Sequence, residues 1–234
     1  MAETARLGLP LVQAAQAQKH VTVNEGLGRL DAVVQLTLTS VGVTVPPEPA
    51  SGAFAVPGGA TGAWAGRAGQ VAFASAVGWE YITPARGWTA LVLDRGPAVF
   101  DGADWVDGAA TMTASGAGLS LRTVEVDHLV GSGGASTTAA VIPAQSLVFG
   151  VTGRVLEAIT GGATSFALGI AGESPDRYGS GYGVQAGAWL RGLTSSPLAY
   201  YAPTALTLTA AGGAFTGGSL RLSVHLAELR LPGM

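Results

Sequence analysis

Hydrophobic and polar positions alternate with a period of two through much of the second half of the chain. The alternation is clearest at residues 219–226, SLRLSVHL, and it recurs at residues 166–170 and 206–208. A period of two is typical of a strand with one buried and one solvated face. Several such segments, joined by glycine-rich turns with no helical pattern between them, predict a jelly-roll-like antiparallel β-sandwich over residues 111–234.

One segment of this region breaks the alternation. In LSLRTVEVDHLV, residues 119–130, the apolar phase changes from Leu119 and Leu121 to Val124 and Val126. A change of phase inside a strand indicates an extra residue on one side of the ladder. We therefore expect a bulge or a bend in this strand.

The first segment has the spacing of a helix and not of a strand. Thr22 and Glu25 fit a capping box, which predicts a helix with its N-cap at Thr22. Leu27, Leu30 and Val34 follow on one apolar stripe. Two glycines inside the helix each cost about 1 kcal/mol relative to alanine, so it needs a packing partner.

Three regions are predicted along the chain. Residues 1–45 hold the helix, with a second short helix or an arm upstream at residues 10–19. Residues 46–110 contain four tryptophans between short β-type runs, which predict small hairpins each pinned by a Trp. Residues 111–234 form the sandwich. The fold class is therefore mainly β with an N-terminal helix or arm.

The charge pattern excludes one class of partner. The net charge is −3, Lys19 is the only lysine, and the arginines are scattered singly. Nucleic-acid binding requires clustered basic residues that displace counterions from phosphates. No nucleic-acid partner is therefore expected.

Low charge and high hydropathy point to self-association. Only 12% of the residues are charged and the mean hydropathy is +0.39, yet no apolar run approaches the ~20 residues of a membrane helix. We expect no membrane insertion, and a homo-oligomer that buries part of the apolar surface, with a trimer favoured. The start of the chain lacks the apolar stretch of a signal peptide, which predicts synthesis in the cytoplasm and exit only within a larger particle.

The sequence offers few positions for catalysis, metal or cofactor. Glu125 and Asp127 lie two positions apart on one face of a strand, which separates them by about 7 Å. Inverting glycosidases use a pair of carboxyl groups at such a separation. The alternative is that both side chains are simply solvated. Asp101, Asp104 and Asp107 fit turns better than a calcium loop. GYGVQA, residues 181–186, fits a dinucleotide fingerprint but lacks a following helix. We expect no enzyme activity, no metal and no cofactor.

Charge, proline, aromatic rings and glycine crowd together only in GESPDRYGSGYG, residues 172–183. If the end of this segment is extended, Tyr178 and Tyr182 share one face and the other face carries only glycine. A bare glycine face allows close approach of a backbone, an aromatic ring or a flat ligand. The segment is therefore either a sugar-binding surface or a structural turn whose tyrosines cap the sheet.

Several segments resemble an uncharacterised domain-of-unknown-function family that occurs in alphaproteobacterial prophages and gene transfer agents. In the first half these are GLPLVQAAQAQKHVTVNEGLGRLDAVVQ (8–35), GATGAWAGRAGQVAF (59–73) and GWEYITPARGW (78–88). In the second half they are IPAQSLVFGVTGRV (142–155), ITGGATSFALGIAG (159–172) and LTAAGGAFTGGSLRLSVH (208–225). The resemblance covers most of the chain and brings no catalytic motif with it.

The resemblance implies a head-spike or fibre protein on the surface of a phage-like particle, attached through its N-terminus to the capsid or to another spike protein. Such spikes are associated with attachment to polysaccharide on the recipient cell. Two alternatives remain open: a polysaccharide depolymerase using Glu125 with Asp127 or Glu173 with Asp176, and a purely structural segment without a ligand. The candidate glycan-binding residues are Asp176, Arg177, Tyr178, Tyr182, Trp189, Tyr200 and Tyr201.

Overall fold

A computed structural model of the chain describes residues 2–13, 19–75 and 77–233. The chain divides into two compact units between Ala109 and Ala110. The boundary predicted between residues 110 and 111 lies one residue from this division. The boundary predicted between residues 45 and 46 falls inside the first unit. Residues 14–18, half of the stretch 10–19 where a second helix or an arm is predicted, lie outside the described residues.

The first unit begins with the helix α1, Lys19–Val33. The N-cap predicted at Thr22 is wrong, because the helix begins three residues earlier and Glu25 instead pairs with Arg29 one turn on, at 2.8 Å. The apolar stripe exists, but Leu30 is 51% and Val34 41% exposed. The part of the chain described here therefore leaves the stripe without a full packing partner.

A buried carboxylate fastens the N-terminal segment to this helix. Asp31 accepts hydrogen bonds from the Thr4 hydroxyl at 2.7 Å and from the backbone N–H of Leu7 at 2.6 Å. Burial raises the pKa of Asp31, but the hydrogen bonds from Leu7, Thr4 and Arg6 outweigh burial and lower it. The Arg6 guanidinium donates to the carbonyl of Gln35 at 2.9 Å, just beyond the helix end.

Seven short strands complete the first unit in two sheets. The first sheet has the order β1–β5–β6–β7 and the second β2–β3–β4, and only the β1–β5 pair is parallel. The strands are β1 Thr37–Leu38, β2 Ala53–Ala55, β3 Val71–Ser75, β4 Gly78–Ile82, β5 Thr89–Val92, β6 Gly96–Phe100 and β7 Trp105–Asp107. Antiparallel hairpins are present in this region as predicted, namely β3–β4, β5–β6 and β6–β7. Trp64 lies outside them in the 3-10 turn Gly62–Trp64, where it is fully buried with its ring 5.1 Å from those of Phe54 and Trp79.

The second unit consists of two antiparallel sheets that share one core. The larger has the order β13–β11–β15–β9–β8 and the smaller β10–β14–β12. The core contains buried residues from both sheets, among them Leu222 of the larger and Leu208 of the smaller. The strands are β8 Ala109–Met112, β9 Gly118–Leu129, β10 Ala135–Ile142, β11 Ser146–Gly161, β12 Ser165–Gly169, β13 Trp189–Tyr200, β14 Thr204–Ala211 and β15 Phe215–Arg230.

From β9 to β15, every consecutive strand crosses to the opposite sheet. This alternation, with β15 lying between β9 and β11 and with β14 lying between β10 and β12, is the strand order of a jelly roll. A fourth position beside β12 is taken by residues 178–182, which exchange backbone hydrogen bonds with Phe166 and Leu168. The predicted sandwich is thereby confirmed, and the segment GESPDRYGSGYG occupies the place of its eighth strand.

The predicted bulge in residues 119–130 is absent. β9 pairs with β15 in continuous register from Gly118 to Leu129. Leu121 points outward and is exposed, while Arg122 takes the inner position and forms a two-point ion pair with Glu228 at 2.8 Å. The phase change in the sequence therefore reflects a charged pair at the end of the core and not an extra residue. Within the described residues, no helix is long and apolar enough to span a membrane.

Candidate functional site

The segment GESPDRYGSGYG is built around Tyr178, which is fully buried. The Tyr178 hydroxyl lies 2.6 Å from the hydroxyl of Tyr200, another buried residue at the end of β13. Arg177 donates to the Tyr200 hydroxyl at 3.2 Å and forms an ion pair with Glu173 at 3.3 Å. These four side chains fasten the segment to β13.

Two glycines turn the segment between its tyrosines. Gly179 and Gly181 have φ values of +106° and +73°, so residues 178–182 are not extended and the tyrosines do not share one outward face. The Tyr182 hydroxyl donates to the carbonyl of Tyr178, and the Tyr182 ring lies 5.7 Å from that of Phe166. Burial raises the pKa of both Tyr178 and Tyr182, and the bond to Tyr200 raises that of Tyr178 further.

The β13 residue that faces the Tyr178 backbone is a glycine, Gly192, because the two backbones approach closely. A Cβ added to Gly192 of β13 would lie 2.0 Å from the Tyr178 carbonyl oxygen. Glycine is therefore required there for the segment to reach the sheet. The structural interpretation of GESPDRYGSGYG accounts for these contacts.

The predicted binding residues divide by their exposure. The prediction that Tyr178 and Tyr200 contact a sugar is wrong, because both rings are buried. Arg177 and Tyr182 are half-buried and occupied by internal contacts. The fully exposed candidates are Asp176, Trp189 and Tyr201.

Trp189 and Tyr201 lie at opposite ends of β13. Trp189 is paired with Arg154 of β11, and Tyr200, the neighbour of Tyr201, is paired with Ser146. The ends are separated by residues 146–154 of β11, which corresponds to roughly 26 Å at ~3.3 Å per residue. The predicted candidates therefore do not form a single site.

The outer face of the larger sheet carries a polar patch, which we call the polar face. It consists of two neighbouring cross-strand rows, each with one residue from β13, β11, β15 and β9. The rows are Trp189, Arg154, Arg221 and Asp127, and Arg191, Thr152, Ser223 and Glu125. Side chains that are paired across strands lie about 5 Å apart at Cβ, so the eight form one continuous surface.

Trp189 is the large ring of the polar face and is 64% exposed. The Arg191 guanidinium lies 5.8 Å from the centroid of its ring. Arg154 is the cross-strand partner of Trp189, and its guanidinium donates to the carbonyl of Gly187 at 3.1 Å. An exposed aromatic surface with two guanidinium groups beside it offers stacking and hydrogen bonding to one ligand.

Glu125 and Asp127 lie on this face as the alternation predicted, and Arg221 holds both. Arg221 binds Asp127 through two hydrogen bonds of 2.6 and 2.7 Å and lies 3.5 Å from Glu125. The hydrogen bond from Arg221 lowers the pKa of Asp127. A glycosidase acid requires a carboxyl group with a raised pKa, so this arrangement does not favour hydrolysis.

His225 extends the hydrogen-bond network of the polar face. Its Nε2 lies 2.8 Å from the Thr152 hydroxyl and its Nδ1 lies 3.2 Å from the Thr123 hydroxyl. Both ring nitrogens are therefore engaged, and they fix the ring between β11 and β9. Thr152 and the polar side chains on β15 and β9 are therefore held by contacts with one another.

The sequence interpretation missed Arg154, Arg191 and Thr152. A signal for the first two was present, because residues 189–193 read WLRGL, with Trp189 and Arg191 on one face and Leu190 on the other. That pattern is typical of an edge strand with a polar outer face. Placing Arg154 beside Trp189 required the β11–β13 register, which the sequence does not provide.

The other candidate chemistries gain no support. Asp101 accepts hydrogen bonds from the N–H groups of Ala103 and Asp104, as a turn requires. The described residues contain no group of three or more His, Asp or Glu side chains placed to hold a metal. Residues 181–186 lead into β13 and not into a helix, so the dinucleotide fingerprint lacks its context.

The first unit has a groove of about 860 Å³ between α1, the N-terminal segment and the β2–β3–β4 sheet. Its lining is mostly apolar and includes Leu11, Val21 and Phe73. Val21 is also one of the exposed apolar residues of α1. The described part of the first unit therefore presents apolar surface both on its helix and beside it.

Comparisons with known proteins give a family match over part of the chain and weak similarity to solved structures. Residues 23–106 match the family described as "Protein of unknown function (DUF2793)", which is less than half of the chain and lies in the first unit. A comparison with curated proteins gives no match. A chain of the solved structure "Cyanophage Pam1 capsid asymmetric unit" is 24% identical with a TM-score of 0.34, over 51% of this chain and 91% of that chain. That TM-score is too low to carry an argument.

Proposed function

We propose that this chain is a structural and adhesive protein of a phage-like particle, exposed on the particle surface. The sequence segments that resemble prophage and gene-transfer-agent proteins support the particle assignment. The jelly-roll unit supports it at the level of fold, since viral capsid and lectin domains use this architecture. On this proposal, the first unit attaches to the particle and the second unit binds cell-surface polysaccharide.

The exposed Trp189 ring on the polar face is the observation that carries the binding proposal. An aromatic ring stacks on the apolar face of a sugar, while neighbouring arginine, carboxylate and hydroxyl groups bond its hydroxyls. The polar face provides all of these on a sheet, where side chains are rigidly spaced. The site proposed from the sequence at residues 172–183 is therefore moved to the outer face of the larger sheet.

The exposed stripe of α1 supports attachment through the first unit. Val23 and Leu30 lie seven residues apart on one side of α1, Val34 follows directly after the last residue of the helix, and all three are exposed. An exposed apolar stripe on a helix is a surface that a protein partner covers. The partner we propose is the capsid or another spike protein of the particle.

Binding of the purified chain to polysaccharide extracted from recipient cells tests the adhesive proposal. Trp189→Ala is expected to weaken binding by about tenfold, because it removes the stacking surface while leaving the core intact. Tyr201→Ala is the matched control, since Tyr201 is 78% exposed at the far end of β13. The proposal fails if wild-type protein does not bind, which is also the outcome expected of a purely structural segment. Release of reducing ends from the same mixture would favour the depolymerase instead.

A further inference from the structure

We propose that the Trp189 corner of the polar face selects a polysaccharide that carries carboxylates, such as one built from uronic acids. This inference rests on the proposed function and adds the chemical class of the ligand. Three residues carry it: Trp189, Arg154 and Arg191.

The charges of the polar face are segregated. On β15 and β9, Arg221 is shared by Asp127 and Glu125, so that side has one cation for two anions. On β13 and β11, neither Arg191 nor Arg154 forms an ion pair with a described carboxylate. Positive charge is therefore available on one side of the patch only, beside the tryptophan.

The acidic residue of β11 that lies nearest to Arg154 does not neutralise the charge of that arginine. Glu157 lies beyond Arg154 on the same strand and is paired with Ser219 of β15. Both residues belong to the described part of the chain, and Glu157 forms no ion pair with Arg154 there. A ligand can therefore supply the anion that the chain does not.

The Arg191 guanidinium lies over the Trp189 ring, and Arg154 is the residue paired with Trp189 on the neighbouring strand. Arg154 is the cross-strand partner of Trp189, at a Cβ separation of about 5 Å, and the Arg191 guanidinium is 5.8 Å from the ring centroid. In the proposed binding mode, a sugar ring that stacks on the free part of the indole directs its substituents toward these two guanidinium groups. A guanidinium forms paired hydrogen bonds to a carboxylate, whereas a hydroxyl accepts only single ones.

Retention on immobilised polygalacturonate, dextran and dextran sulfate tests this selectivity. Wild-type protein is expected to bind polygalacturonate about tenfold more tightly than dextran, because charge-assisted hydrogen bonds are the stronger ones. Arg154→Gln with Arg191→Gln should abolish that difference without changing the melting temperature. Arg29→Gln with Arg95→Gln in the first unit removes the same net charge and should leave the difference intact.

Four outcomes would overturn the inference. Equal binding to polygalacturonate and dextran would reject the carboxylate preference while leaving the adhesive function in place. Equally tight binding to dextran sulfate and to polygalacturonate would show that the protein recognises negative charge in general and has no preference for carboxylates. Trp189-dependent binding to recipient-cell polysaccharide without retention on polygalacturonate would reject the ligand class. Failure to bind any polysaccharide would reject the proposed function as well.

Discussion

The hydroxyl groups of Tyr178 and Tyr200 lie 2.6 Å apart, both on buried side chains of the second unit. The bond joins the segment that takes the place of the eighth strand to the end of β13. Arg177 donates to the same Tyr200 hydroxyl from the segment's surface side. The part of the chain that looks most like a binding loop is thus a structural connection of the jelly roll.

Truncation of Tyr178 should therefore destabilise the protein strongly. Tyr178→Ala is expected to lower the free energy of unfolding by about 3–5 kcal/mol, as buried aromatic truncations do. Tyr178→Phe removes only the hydroxyl and should cost about 1 kcal/mol, because Tyr200 keeps its bond to Arg177. Urea unfolding of the two variants measures both values. A Tyr178→Ala variant as stable as wild type would contradict the buried position.

Alkaline pH should weaken the same connection. Burial and the Tyr200 bond raise the pKa of Tyr178 above its usual 10.0. Above about pH 10 the unfolded chain releases this proton and the folded chain retains it, so stability that is present at lower pH is lost as pH rises. Tyr178→Phe should reduce this loss, whereas Tyr201→Phe, at an exposed position, should not. Identical pH profiles for wild type and Tyr178→Phe between pH 9 and 11 would contradict the assignment.

Self-association is expected through the outer face, next to the polar face. Four exposed apolar side chains lie there and form what we call the apolar end: Leu121, Phe149, Leu193 and Leu229. A surface of this kind fits a second copy of the chain, with a trimer favoured. Leu193→Lys with Leu229→Lys should give a monomer by light scattering at micromolar concentration.

Leu129→Lys is the control for that experiment, since Leu129 is 78% exposed but lies at the other end of β9. It should leave the oligomer intact. A monomeric wild-type protein would reject self-association through this surface.

Incorporation into particles should depend on the exposed stripe of α1. Val23→Asp with Leu30→Asp places charge on the stripe, so the variant should be lost from purified particles while its melting temperature stays near that of wild type. Val45→Asp is the control, because Val45 is equally apolar and 63% exposed outside the helix. Normal incorporation of the stripe variant would show that attachment uses another surface.

The alternation of side chains was sufficient to predict the sandwich and its core. Leu220, Leu222 and Val224 are fully buried, as their period of two required. The same rule predicted a bulge or a bend in β9, and the bulge is absent, because the rule assumed that leucine points inward and arginine outward. Arg122 points inward since Glu228 of β15 neutralises it, and a partner 106 positions away is not visible in a local pattern.

The candidate site could be predicted only in part, for the same reason. Trp189 was identified from its residue type, but its neighbour Arg154 is brought to it by the β11–β13 register. Tyr178 looked accessible because it lies among glycine and charged residues. Two glycines with positive φ instead turn the segment inward, and Gly192 of a distant strand admits it.

Hydroxyl-radical footprinting with bound polysaccharide tests the central claim most directly. Trp189 and Tyr201 are both reactive rings and are 64% and 78% exposed, so both should be oxidised in the free protein. With recipient-cell polysaccharide bound, oxidation of Trp189 is expected to fall several-fold while that of Tyr201 stays unchanged. Protection of Tyr201 together with residues 172–183, with Trp189 oxidised as in the free protein, would contradict a binding site on the polar face.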